Sequence, residues 1–225
     1  MYLVYKGKTK DVYALENGNY LLRFKDDVTG ENGVFDPGSN KVALSLSGIG
    51  QANIRMSIYF FELLRQNGIK THYLNADLNK NEMEVLPVKT FGNGLEVIVR
   101  QKAVGSFIRR YGEYVTAGTE LNGYVETTLK NDAKGDPLIT KDGLVILNIM
   151  TGNEYETIKA KAKTISAIIA KEFTKRKLEL YDIKFEFGKY RNEIILIDEI
   201  SSGNMRVYQN GRPLEPFELD KYFFQ

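Results

Sequence analysis

The sequence contains no cysteine, which excludes disulfides, zinc–thiolate centres and thiol nucleophiles together. It has one histidine, His72, so the familiar zinc sites lose most of their remaining ligands. A Ser-His-Asp triad would hang on that residue alone, and no nucleophile-elbow serine motif accompanies it. His72, in Lys70-Thr-His-Tyr-Leu74, reads as structural or merely exposed. Neither sign of charge is in excess: 31 Lys and Arg face 29 Asp and Glu. That balance argues against a protein devoted to wrapping duplex DNA, while leaving room for a local basic site. No run approaches the roughly 18 apolar residues of a membrane span. Met1-Tyr-Leu-Val-Tyr-Lys6 is not a cationic stretch followed by an apolar one, so a reducing cytoplasm is the expected location. Repeats and low-complexity tracts are absent too. The chemistry left open is that of carboxylates, lysine, arginine and a bound metal.

What is present is ordinary globular composition, 43% hydrophobic and 27% charged over 225 residues, enough to bury a substantial core. Residues 4–15 and Tyr20-Leu-Leu-Arg-Phe24 flank Glu16-Asn-Gly-Asn19, a strong hairpin signal. Residues 25–50, rich in glycine and without period, read as a loop that orders on a ligand. A helix is expected from about Asn53, as its N-cap, with Ile54, Ile58, Phe61 and Leu64 on one face and Gly68 ending it. Leu86-Pro-Val-Lys-Thr-Phe-Gly-Asn-Gly94 reads as a hinge between lobes, followed by the strand Leu95-Glu-Val-Ile-Val99. A short helix is expected within residues 103–112, then short strands and loops over 113–150. Thr151-Gly-Asn-Glu154 is a capping box opening the longest helix, with Ile158, Ala162, Ile165, Ile169 and Phe173 on its apolar face. A second hairpin joins Asp182-Ile-Lys-Phe-Glu-Phe-Gly188 to Glu193-Ile-Ile-Leu-Ile-Asp-Glu-Ile200. The reading is α+β, in two lobes at 1–90 and 91–225.

Three segments carry candidate chemistry. Lys6-Gly-Lys-Thr-Lys10 imitates the end of a Walker A loop, but the glycine required five positions earlier is Tyr2, so that motif is rejected. Alternation would put Lys6, Lys8 and Lys10 on one strand face beside Gly7. Such a face suits an oligophosphate, and equally suits an edge strand blunted by lysines. In the second hairpin, a turn centred on Tyr190 would set Asp182 opposite Asp198, with Lys184 and Glu186 on the same side. Three carboxylates on one face call for a cation, Mg²⁺ or Mn²⁺ given oxygen-only ligands, unless the face is simply wet. Arg100, Gly105-Ser106 and Arg109-Arg110 make either an anion site or an ordinary helix surface. Arg206 follows the strand that Asp198 ends.

In this order the segments resemble the SAICAR synthetase family. Tyr5-Lys-Gly-Lys-Thr-Lys10 with Val12-Tyr13 is similar to its Y-x-G-K-x-K-x-x-Y. Val99-Arg-Gln-Lys-Ala-Val-Gly-Ser106, with Arg110-Tyr-Gly112, resembles V-R-N-x-x-A-G-S. Leu129-Lys-Asn-Asp132 with Asp136-Pro137 resembles K-x-D-x-x-x-D-P. Asp182-Ile-Lys-Phe-Glu-Phe-Gly188 and Asp198-Glu-Ile-Ser201 with Arg206 resemble D-F-K-x-E-F-G and D-E-x-S-P-D-x-x-R.

The resemblance implies a two-lobed, ATP-grasp-like or kinase-like fold with antiparallel sheets, and ATP with Mg²⁺ in the interlobe cleft. It implies a ligase of purine biosynthesis that phosphorylates the carboxylate of carboxyaminoimidazole ribotide and lets the amine of L-aspartate displace the phosphate. On that carry-over Gly7, Lys8 and Lys10 meet the nucleotide, and Glu186 and Asp198 hold the metal. Arg100, Ser106 and Arg206 bind the ribotide, and Lys130, Asp182 and Lys184 act at the reacting centre. A homo-oligomer is also implied. The sequence departs from the pattern at Ser201-Ser202-Gly203, where the family has S-P-D, at Gly48-Ile-Gly50 for G-K-G, and at Gln101 for Asn. These departures suggest a divergent member. The alternatives are a related ligase or kinase-like phosphotransferase with other substrates, and a nucleotide- or RNA-binding module using the lysines with Tyr5 and Tyr13.

Overall fold

A close backbone contact at Gly7 divides the first ribbon. Its amide donates to the Lys10 carbonyl at 2.9 Å, and a Cβ there would stand 2.4 Å from that oxygen, so only glycine fits. The computed structural model, which describes residues 1–225, therefore has two strands where the sequence suggested one: β1 (Tyr2–Lys6) and β2 (Lys10–Ala14). The expected single face of Lys6, Lys8 and Lys10 is corrected by this turn, which contains Lys8. After the Asn17-Gly18 turn comes β3 (Tyr20–Phe24). Residues 25–50 are not a loop: β4 (Asp27–Glu31), β5 (Val34–Phe35) and β6 (Val42–Ser45) pair antiparallel in the order β5-β4-β6. Helix α1 (Ile49–Gln66) begins before the expected Asn53 cap. Its first amides are met by a distant carboxylate, with Asp26 accepting from Gly48 and Gly50 at 3.0 Å each. A cap supplied from so far along the chain leaves no local signal. The far end closes at Gly68 (φ 73) as the sequence indicates. Strands β7 (Tyr73–Asp77) and β8 (Glu82–Val85) complete an antiparallel sheet, β1-β2-β3-β8-β7.

The chain then builds a second body through β9 (Lys89–Thr90), β10 (Leu95–Lys102), α2 (Ser106–Tyr111) and the long β11 (Glu120–Leu129). Next come α3 (Lys141–Ile146) and α4 (Gly152–Thr174). The capping box forms: Thr151 Oγ1 accepts from the Glu154 amide and the Glu154 carboxylate from the Thr151 amide. Ile158, Ala162, Ile165, Ile169 and Phe173 are all buried, as their period requires. That stripe packs on β10, β11 and β12 (Glu179–Tyr190), whose apolar positions Val97, Val99, Ile183 and Phe185 are buried with it. Each large side chain so buried contributes about 1.5–3 kcal/mol.

β13 (Glu193–Ile197) follows β12 through Arg191-Asn192, whose φ values of 47 and 65 mark a two-residue primed turn. Such a turn faces Tyr190 with Glu193, so partners across the hairpin differ in parity. The expected turn at Tyr190, and with it the pairing of Asp182 with Asp198, is corrected. Strands β14 (Met205–Gln209) and β15 (Arg212–Pro213) and helix α5 (Pro216–Phe224) end the chain.

Two compact units result: Met1–Lys89 with Ile195–Asn204 and Glu215–Gln225, and Thr90–Ile194 with Met205–Leu214. Ile195–Asn204 and Glu215–Gln225 thus belong with the amino-terminal unit.

Candidate active-site residues

In the first unit the strand-end pair Asp198-Glu199 meets Lys10. Nζ of Lys10 donates to Glu199 Oε1 at 2.7 Å and lies 3.1 Å from Asp198 Oδ1, with the lysine side chain only 10% exposed. Burial alone would drain its proton, but the two carboxylates outweigh burial and hold the ammonium well above the usual lysine range. Two carboxylates face this one ammonium, so a polyphosphate is drawn to the place only with further positive charge, from neighbouring lysines or a divalent cation. Lys8 caps the Asn40 carbonyl at 3.2 Å, and Lys25 donates to the Gly7 carbonyl at 2.6 Å. Glu199 also accepts from Ser201 Oγ at 3.0 Å. Gly203 sits where a Cβ would be 3.2 Å from the Glu199 carboxylate, so a second acid at that position would begin against this one.

Asp198 itself adopts φ 70, the left-handed region. His72, buried at 4% exposure, donates its Nε2–H to the Asp198 carbonyl at 2.8 Å. Burial pushes the imidazole down to about 4 against the raising effect of the Asp198 carbonyl and carboxylate, with Lys10 adding to the fall. At neutral pH it is an uncharged donor. The structural reading of His72 holds, and the exposed one does not.

In the second unit, the face of β10, β11, β12 and β14 opposite α4 carries the charges. Arg100, 2% exposed, hydrogen-bonds Glu126 through Nε (2.9 Å), Asp182 through Nη1 (2.7 Å) and Ser106 Oγ through Nη2 (2.8 Å). Arg206 reaches the same Asp182 oxygen at 2.7 Å, and Arg110 reaches Glu126 at 2.6 Å. Three guanidinium groups thus bear on two carboxylates beside the Ser106 hydroxyl. Gly105 (φ 56) lets the backbone lie flat on the Arg206 guanidinium; a Cβ would be 2.6 Å from its Cζ. Further along the face Lys184 meets Glu96 at 2.6 Å and Lys130 meets Glu186 at 2.7 Å. Lys184 is held above its ordinary range: burial opposes, Glu96 and Glu186 outweigh it, and Lys130 partly offsets them.

The structure therefore gathers Arg100, Ser106, Asp182 and Arg206 in one network and Lys130 with Glu186 in another pair. Asp182 accepts from Arg100 and Arg206, and Glu186 from Lys130; no group of three His, Cys, Asp or Glu side chains is gathered. One Asp182 oxygen accepts from both the Arg100 and Arg206 guanidiniums. Sequence reading passed over Glu199, Glu126 and Glu96. Their signal was there, as acids inside or ending strands too apolar to carry an unpaired charge. On the adjacent face of α2, Phe107 and Tyr111 line an apolar cavity of about 410 Å³ with Tyr114, Val115, Leu121 and Tyr124, while the chemistry sits on the Ser106–Arg110 side.

A family model described as SAICAR synthetase matches residues 3–225. The phosphoribosylaminoimidazole-succinocarboxamide synthase of Clostridium tetani is 54% identical over 100% of both chains. That of Finegoldia magna is 36% identical over 99% of this chain and 90% of its own. Among solved structures, a SAICAR synthetase in complex with ADP matches with a TM-score of 0.84 at 32% identity, covering 97% of this chain and 91% of that one. At such identity the expected divergent standing is not needed; the departures at Gly203, Ile49 and Gln101 sit within an ordinary relationship.

Proposed function

The chain belongs to the SAICAR synthetase family, and from that premise we propose how its residues divide the reaction. The activity is ATP-dependent formation of SAICAR in purine biosynthesis: L-aspartate is joined to the carboxylate of carboxyaminoimidazole ribotide, with ADP and phosphate released. A carboxylate resists an amine until one of its oxygens becomes a phosphate leaving group. Transfer of the γ-phosphoryl makes that group; the amine then forms the C–N bond as the C–O bond to phosphate breaks, and the amine gives up a proton. Phosphoryl transfer asks the protein chiefly for position and charge neutralisation.

Gly7, Lys8 and Lys10 take the nucleotide phosphates, a reading supported by the ADP in the related structure. Asp198 is a magnesium carboxylate and Glu186 another. Both are hard oxygen donors, and Asp198 stands beside a second carboxylate, Glu199, at Lys10. Bound Mg²⁺ supplies charge neutralisation at the transferring phosphate oxygens. Ser106 and Arg206 donate to the ribotide, with Arg100 fixing both through Ser106 Oγ and the shared Asp182 carboxylate. Lys130 and Lys184 bring positive charge to the reacting carboxylate, and Asp182 keeps the arginines aimed.

The observation that supports the reading is the set of three arginines gathered on Glu126 and Asp182 beside Ser106, in a chain related along its whole length to SAICAR synthases. The RNA-binding alternative is not favoured, because the relatives matched along the whole chain are SAICAR synthases. A coupled assay of ADP release tests the assignment: release should require ribotide and aspartate together. Release without aspartate would mark a phosphotransferase and overturn it.

A further inference from the structure

We infer that His72 is a positioning residue for the nucleotide site: its Nε2–H holds the Asp198 main chain in the left-handed turn that aims the Asp198 carboxylate at Lys10. A left-handed φ at a non-glycine residue is disfavoured and persists only where surrounding contacts fix it. Asp198 has such contacts. The imidazole donates to its carbonyl at 2.8 Å, and His72 is fixed in turn by two main-chain hydrogen bonds and one ring contact. The His72 amide donates to the Leu196 carbonyl at 2.9 Å, the Leu86 amide donates to the His72 carbonyl at 2.8 Å, and Phe61 meets the ring edge-on at 5.7 Å. Two residues before Asp198, therefore, the same histidine binds the strand it terminates. With φ at 70 the side chain leaves the strand direction and its Oδ1 reaches Lys10 Nζ at 3.1 Å. Nothing else in this role is needed from the imidazole, whose ring never touches Lys10 or a carboxylate oxygen. Fixing a carboxylate from behind is what outer partners do for metal ligands, where their loss typically weakens metal affinity or activity by roughly 10–100-fold.

The inference rests on the assignment of Asp198 as a magnesium carboxylate, and the test separates the two. ADP is titrated calorimetrically into the full chain with and without Mg²⁺. His72→Leu should weaken ADP binding in Mg²⁺ about tenfold and leave metal-free ADP binding nearly unchanged. His72→Gln, whose amide reaches the place of Nε2, should stay within about threefold of the parent in Mg²⁺. If His72→Leu does not fold, His72→Asn takes its place, since its amide stops short of the carbonyl. A crystal structure of the Leu or Asn variant should show Asp198 out of the left-handed region. Equal losses in the Gln and Leu variants overturn the inference, as does Asp198 keeping its φ without the imidazole. A parent chain whose ADP affinity ignores Mg²⁺ would instead refute the metal assignment, and the crystallographic φ would still decide whether His72 holds the turn.

Discussion

Asp198 combines the carboxylate we propose for the metal with a backbone in the left-handed region. Asparagine tolerates that conformation well, so Asp198→Asn separates charge from shape. It should abolish turnover while circular dichroism and thermal unfolding stay close to the parent. Glu186→Gln should do the same, although it leaves Lys130 without its anion. Parent-like rates in either variant would remove that residue from the metal site. Gly105 gives a sharper test on the substrate side. A methyl group there meets the Arg206 guanidinium at 2.6 Å and strains φ 56. Gly105→Ala should raise the KM for ribotide about tenfold, the scale of one displaced charged hydrogen bond, with ADP affinity unchanged. A rise in the ADP dissociation constant instead would show that Arg206 is not a ribotide contact.

At the scale of elements, α4 shows local and tertiary forces agreeing. Its capping box and its apolar period both lie within a few residues, and both formed as read. Thr151→Ala removes one cap hydrogen bond and should cost about 1 kcal/mol, a fall in Tm of about 2–4 °C for a domain of this size; scanning calorimetry would register it. No fall would mean that Glu154, which also meets Lys189, anchors the helix alone. Helix α1 shows the opposite case. It starts at Ile49 and not at Asn53 because Asp26, from the link between β3 and β4, meets the amides of Gly48 and Gly50. The lysine segment was misread because Gly7 turns the chain where alternation runs on. The hairpin register failed through a single turn: Arg191-Asn192 carries no glycine, yet both residues take positive φ.

For the whole molecule, His72 links folding to pH. Its unfolded pKa is near 6.5 and its folded value about 4, so between these values the unfolded chain binds more protons and stability rises with pH. The contribution is complete above pH ~6.5 and lost as pH falls toward 4, amounting to about 3 kcal/mol at most. Urea unfolding with chelator present, compared between the parent and His72→Gln, should show that slope only in the parent; equal slopes would disprove it. By itself the sequence determined the α+β class, the apolar face of α4 and the family, because periodicity, caps and motif order are properties of neighbours along the chain. Tertiary structure alone decided that Asp182 serves arginines, that Glu199 and Glu126 complete the two charge clusters, and that the lone histidine stands behind Asp198. Charges are balanced between residues far apart in sequence, and only folding brings them within reach of each other.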